Sequence, residues 1–117
     1  MPFDLSVARF FLTFPQCDYD PEEFLNNAKR LEHYKSCAVV RERHADGEPH
    51  LHAVLCFTKR RHVRRPDWFD HLAGGAHGNV QRVRNLRASY DYLRKAGEPC
   101  TDGVNLALVE GRRGAVP

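Results

Sequence analysis

Five short apolar stretches of strand character and two of helical spacing divide this 117-residue chain. From Ala8 to Phe14 (ARFFLTF), Phe10, Leu12 and Phe14 share one side, Phe11 and Thr13 share the other, and Pro15 ends the run. Asp20-Pro21-Glu22-Glu23 is a helix start: a capping carboxylate, a proline at the first helical position and an acid three residues past the cap. Phe24, Leu25, Ala28 and Leu31 then recur at helical spacing. Ser36 to Glu42 (SCAVVRE) reads as a second strand and His50 to Phe57 as a third, with an Asp46-Gly47 turn between them. Asn79 to Val83 reads as a short strand. The spacing predicts a helix from Asn85 to Ala96, capped by Asn85 and stopped by Gly97, and Leu106 to Glu110 reads as a last strand.

The third strand carries the chemistry. Alternation puts His50 and His52 on one face and Leu51, Ala53, Leu55 and Phe57 on the other. Two imidazoles on one face of a strand are a candidate metal pair, and Glu42 on the neighbouring strand is a candidate third ligand. The hairpin register decides whether it reaches them. A two-residue loop pairs Glu42 with Leu51, on the wrong face. A three-residue loop or a bulge pairs it with His52 instead. Pro49 cannot donate a ladder hydrogen bond, so the expectation is an irregular hairpin with Glu42 opposite His52. On the second helix, Leu86, Tyr90 and Leu93 form a core stripe. Tyr92 and Lys95 fall one turn apart on another face with Ala88 and Ser89.

Composition narrows the partners. The chain is long enough for one domain with a core and too short for two. No apolar run approaches the roughly 20 residues of a membrane span, and no secretory signal is visible at the N-terminus, so no membrane partner is expected. Cys17, Cys37, Cys56 and Cys100 form no Cys-x-x-Cys pair, and Cys37 and Cys56, in apolar strand-like runs, read as reduced core thiols of an intracellular protein. The net charge of +3 hides an asymmetry: Lys59 to Lys95 holds ten Lys and Arg against Asp67, Asp70 and Asp91, a balance of +7 against −4 elsewhere. Mostly arginine, this segment suits a polyanion. Thr58 to Arg65 (TKRRHVRR) followed by Trp68 and Phe69 suits single-stranded nucleic acid, with cations for phosphates and rings for bases; the alternative is that the two rings plug the core under a long loop.

Two histidines, a carboxylate, a tyrosine one turn from a lysine and a basic aromatic segment are the parts that phosphodiester transesterification needs. A metal offsets charge on phosphate, a phenol attacks phosphorus, and an ammonium favours the anionic forms. They also leave open a zinc hydrolase and a non-catalytic binding module. Three motifs in order then resemble the endonuclease domain of HUH-class rolling-circle replication initiators, the Rep proteins of geminiviruses, genomoviruses and related circular single-stranded DNA viruses. Phe11-Leu12-Thr13-Phe14-Pro15-Gln16-Cys17 resembles motif I, with Phe14 where a tyrosine is frequent. His50-Leu51-His52 resembles motif II, with Arg41-Glu42 upstream resembling the stretch of the acidic ligand, and Tyr92-Leu93-Arg94-Lys95 resembles motif III, Tyr-x-x-Lys. Between II and III, Asp67 to Gln81 is similar to a segment typical of these proteins, with Gly78 where a proline is usual.

The resemblance implies an α+β fold, an RRM-like antiparallel sheet of about five strands with flanking helices, structured over about residues 8–111 with a tail at 112–117. It implies nicking and joining of single-stranded DNA at an origin stem-loop through a 5′-phosphotyrosine link. Tyr92 is the nucleophile, Lys95 its assistant, and Glu42, His50 and His52 the ligands of Mn²⁺ or Mg²⁺. The expected DNA contacts are Phe11, Thr13 and Gln16; Lys59, Arg60, Arg61, Arg64, Arg65 and Trp68; and Asn79, Gln81, Arg82 and Arg84. A C-terminal helicase domain, host replication factors and the host cell nucleus complete the expectation.

Overall fold

A computed structural model describes residues 3–43 and 47–104. The chain forms β1 (Leu5–Phe14), α1 (Pro21–Lys29), β2 (Tyr34–Arg43), β3 (Pro49–Val63), a short 3-10 helix (Asp70–Ala73), β4 (Asn79–Arg82), α2 (Leu86–Ala96) and β5 (Cys100–Asp102). The strands make one antiparallel sheet in the order β4-β1-β3-β2-β5. The two long helices flank it, so the fold is α+β as expected.

Local chemistry explains both helices. The Asp20 side chain accepts the Glu22 N–H at 3.2 Å and Pro21 follows it. The Asn85 side chain accepts the Ala88 N–H at 3.0 Å, and the Gly97 N–H bonds back to the Leu93 carbonyl as α2 ends.

Each helix covers one sheet face. On the first, Phe10, Leu12 and Phe14 of β1 and Leu51, Ala53 and Leu55 of β3 are buried against α1 and the 3-10 helix. On the second, Ala38, Val40, Val54 and Cys56 meet Tyr90 and Leu93 of α2. Burying a large apolar side chain contributes roughly 1.5–3 kcal/mol, so Tyr90 and Leu93 anchor α2 while its far side stays open to solvent. Cys17, Cys37 and Cys56 are buried free thiols, and Cys100 is a half-buried one.

Tertiary pairing corrects one expectation and adds two strand segments that the sequence did not mark. The β2–β3 ladder runs without a shift from Ser36↔Cys56 to Arg43↔Pro49, so Glu42 sits opposite His50, not His52. Pro49 is the first residue of its strand, where a missing N–H is tolerated, and no bulge is needed. A displacement of two residues leaves every side chain on its expected face. The large irregularity lies instead between β1 and β3: Val7 pairs with Arg61 but Arg9 with Cys56, so one residue of β1 faces four of β3. Beyond it, the strand continues through the basic residues Thr58 to Val63, with Arg61, His62 and Val63 paired to Val7, Ser6 and Leu5. Finally, Cys100–Asp102 forms a strand on β2. The expected strand at Leu106 to Glu110, the tail and Asp46 of the expected turn lie outside the described residues.

Gly78 is a position where only hydrogen fits. A Cβ there would lie 2.5 Å from Cδ1 of Phe14 and 2.8 Å from the Thr13 carbonyl oxygen. Phe14 is buried and cannot retreat. Gly78→Ala is expected to lower stability by about 1–3 kcal/mol. Urea unfolding measures it, and an unchanged midpoint would show that the site has room.

Candidate active site

The four adjacent strands β4, β1, β3 and β2 deliver one row of side chains to the face beneath α2. Thr13 and Val40 flank His52 from either side, Glu42 stands opposite His50, and Asn79 and Gln81 stand opposite Thr13 and Phe11. Cross-strand partners share a face, so the three sequence-proposed ligands come together by backbone geometry. His52 is only 4% exposed. Its Nε2 lies 2.9 Å from Glu42 Oε1, a diagonal contact across the ladder. A carboxylate only accepts, so the ring nitrogen carries the hydrogen. The His50 and His52 rings stack with centroids 6.4 Å apart.

Tyr92 reaches this row from α2. Its ring stands edge-on to His52 at 5.3 Å and to Phe11 at 5.7 Å, and the residue is 50% exposed. Tyr90, two residues earlier, points into the core. Burial, with the Cys56 thiol beside it, pushes its phenol well above the ordinary range. The helical spacing therefore separates a sequestered tyrosine from an accessible one. Lys95 is exposed one turn beyond Tyr92.

Beside Tyr92 opens a cleft of about 700 Å³, lined among others by Phe11, Thr13, Gln81, Arg84 and Ser89, with Arg82 at its edge strand. Ser89 and Asn85 line it without having been proposed as DNA contacts, although both precede Tyr92 at helical spacing on its own face. Phe3, Asp4 and Leu5 line it too, and nothing in their local sequence marks them.

The other proposed DNA contacts lie elsewhere. Gln16 is exposed at the turn after β1. Lys59, Arg60, Arg61, Arg64, Arg65 and Trp68 do not line the cleft. Arg60 donates to the Ser6 carbonyl at 2.9 Å, and Arg65 to Asp67 at 3.1 Å. Arg61 lies over the rings of Phe57 and Trp68 and donates to the Glu32 carbonyl. Phe69 is fully buried, and Trp68 packs against it at 4.7 Å, on the α1 side of the sheet.

Two imidazole nitrogens and a carboxylate are donors that suit Mn²⁺ or Mg²⁺, and they also suit Zn²⁺. As the side chains stand, no three His, Cys, Asp or Glu among the described residues are arranged to hold an ion, and Glu42 is hydrogen-bonded to His52. The backbone sets all three on one face.

The profile of the geminivirus Rep catalytic domain matches residues 3–105. The chain is 30% identical over 109 residues to a replication-associated protein of cabbage leaf curl virus, covering 86% of this chain and 31% of the relative. It is 34% identical over 104 residues to the replication-associated protein A of tobacco yellow dwarf virus, with 86% and 35% covered. It is 37% identical over 100 residues to the replication-associated protein A of Chloris striate mosaic virus, with 82% and 33% covered. The chain thus spans about a third of the length of these relatives. With this match over nearly its whole length and these relatives, the chain belongs to the geminivirus Rep catalytic domain family.

Proposed function

We propose that this domain initiates replication by nicking and rejoining single-stranded DNA, with Tyr92 as nucleophile. The observation that carries the reading is the half-exposed Tyr92 ring in the cleft, 5.3 Å from the His52 ring that is bonded to Glu42. The Tyr92 phenol oxygen forms a bond to phosphorus as the bond from phosphorus to the 3′-oxygen breaks. The 3′-oxygen leaves with a proton as a free hydroxyl, and the 5′-phosphate stays on the protein. One phosphodiester replaces another, so a 3′-hydroxyl can reverse the step without an energy source. Lys95 supplies positive charge beside the phosphate, and Phe11 offers a ring for a base. Glu42, His50 and His52 would hold Mn²⁺ or Mg²⁺, which when bound draws charge off the phosphate oxygens. The DNA would be the loop of an origin stem-loop. The longer protein would add a helicase domain and meet host replication factors in the host cell nucleus.

The test is incubation with Mn²⁺ and a stem-loop oligonucleotide library of randomised loop sequence, labelled at the 3′ end. The expected product is a labelled covalent protein–DNA band. Cleavage without that band would mark a hydrolase, and absence of cleavage a binding module.

The geometry also ranks the two candidate stacking rings. Phe11→Ala is expected to weaken single-strand binding by about 5- to 100-fold, the range for one lost base–aromatic stack. Trp68→Ala, which opens no surface in the cleft, is expected to change it less than about twofold on the same argument. Fluorescence anisotropy in EDTA measures both, and equal losses would sink the ranking.

A further inference from the structure

The turn that follows β1 holds the hairpin that carries Glu42 and His50. Gln16 adopts a φ of 51°, a left-handed conformation that a non-glycine residue enters against steric resistance. The bend brings the Cys17 N–H to the Pro49 carbonyl at 3.0 Å, next to His50. Cys17 is 4% exposed, so the turn is anchored in the core. The following Asp18 binds both arginines that flank Glu42. Its Oδ1 lies 3.3 Å from Arg41 Nη1 and 3.3 Å from Arg43 Nη2, and its carbonyl accepts from Arg41 at 3.3 Å. Arg41 and Arg43 point away from the face that Glu42 occupies. β2 ends at Arg43, so Glu42 is its second-last residue, and strand ends open most readily.

We infer that Asp18 is a positioning residue for the metal-ligand hairpin, clamping the end of β2 through Arg41 and Arg43 so that Glu42 stays in register with His50. This rests on the metal reading above. A single exposed ion pair contributes little. Two on one carboxylate, with a backbone bond from Cys17 to Pro49, tie both strands of the hairpin to a buried anchor. The occupant affected is the divalent cation, whose affinity depends on how closely its ligands are held.

The experiment is Mn²⁺ titration of the full chain without DNA, by calorimetry or electron paramagnetic resonance, alongside thermal melts. Asp18→Ala is expected to weaken Mn²⁺ binding about three- to tenfold, below the 10- to 100-fold of a residue touching a ligand. Asp18→Glu should recover most of it. The Arg41→Gln, Arg43→Gln double variant separates positioning from charge. Removing two cations near the site strengthens Mn²⁺ binding if only the field matters, and weakens it if the clamp matters. Binding as tight as or tighter than the parent in that variant overturns the inference, as does a lowered melting temperature with unchanged affinity. His52→Ala is the control for the underlying reading. If it still binds Mn²⁺, the ligand assignment fails. If it does not, and the arginine variant binds normally, only the clamp fails.

Discussion

Tyr92→Phe is expected to lower formation of the covalent DNA adduct by at least about 10³-fold, the scale on which removal of a nucleophile is felt. The change deletes one oxygen. The ring stays edge-on to Phe11 and His52, so packing is preserved. Tyr92 is half exposed, and the helix that carries it is held by Tyr90 and Leu93, which are untouched. Melting temperature and single-strand affinity should therefore match the parent. Tyr90 cannot substitute, because it is 4% exposed and its phenol is held protonated by burial. The assay is denaturing electrophoresis of the reaction with 3′-labelled DNA and Mn²⁺. An adduct at parental yield in Tyr92→Phe would remove this tyrosine from the mechanism.

The second large effect is on His52→Ala, which is expected to act on both activity and stability. The side chain is almost wholly buried between Thr13 and Val40, beneath the Tyr92 ring. Its removal strips Glu42 of the 2.9 Å contact and opens space under Tyr92. A broken hydrogen bond to a partly buried charged group costs about 1–3 kcal/mol. If the triad holds the catalytic ion, several kcal/mol of transition-state stabilisation vanish with it, at least about 10³-fold in rate. His50→Ala separates the two consequences. His50 is more exposed, so its loss should reproduce the rate defect with a smaller shift in unfolding midpoint. The parent in excess EDTA should match the His50→Ala rate. Nicking by the parent in EDTA at its Mn²⁺ rate would show that the triad serves structure alone.

The two places where the sequence departs from the pattern it resembles meet in space. Phe14 stands where a tyrosine is frequent and Gly78 where a proline is usual, and a Cβ on residue 78 would run into the Phe14 ring. The pair fills one site in this chain. Glycine lets the backbone of the loop before β4 lie on the aromatic ring, where Asn79 and Gln81 pair with Thr13 and Phe11. The two departures are legible in the sequence one at a time. Their contact is not, because 64 positions separate them in the chain.

What the sequence by itself determined is everything that acts over a few residues. The caps at Asp20 and Asn85, the face shared by His50 and His52, the divergence of Tyr90 from Tyr92 and the helix stop at Gly97 follow from periodicity and turn chemistry. The face of Glu42 was legible for the same reason, since alternation has a period of two. Its partner was not. Pairing with His50 or with His52 looks identical from one strand, and only the assembled ladder decided for His50. The strand state of Thr58 to Val63 was also hidden, because a basic stretch without apolar alternation becomes a strand only through a neighbour, which Arg61 to Val63 find in Leu5 to Val7. Cys100–Asp102 is likewise a strand only against Cys37 to Val39. The fate of Trp68 and Arg61 was settled in three dimensions. Both carry chemistry that suits DNA, yet the fold sets them on the α1 side, where they stack on each other and on Phe57 and Phe69. Residue type says what a side chain can bind, and only its place in the sheet says what is within reach.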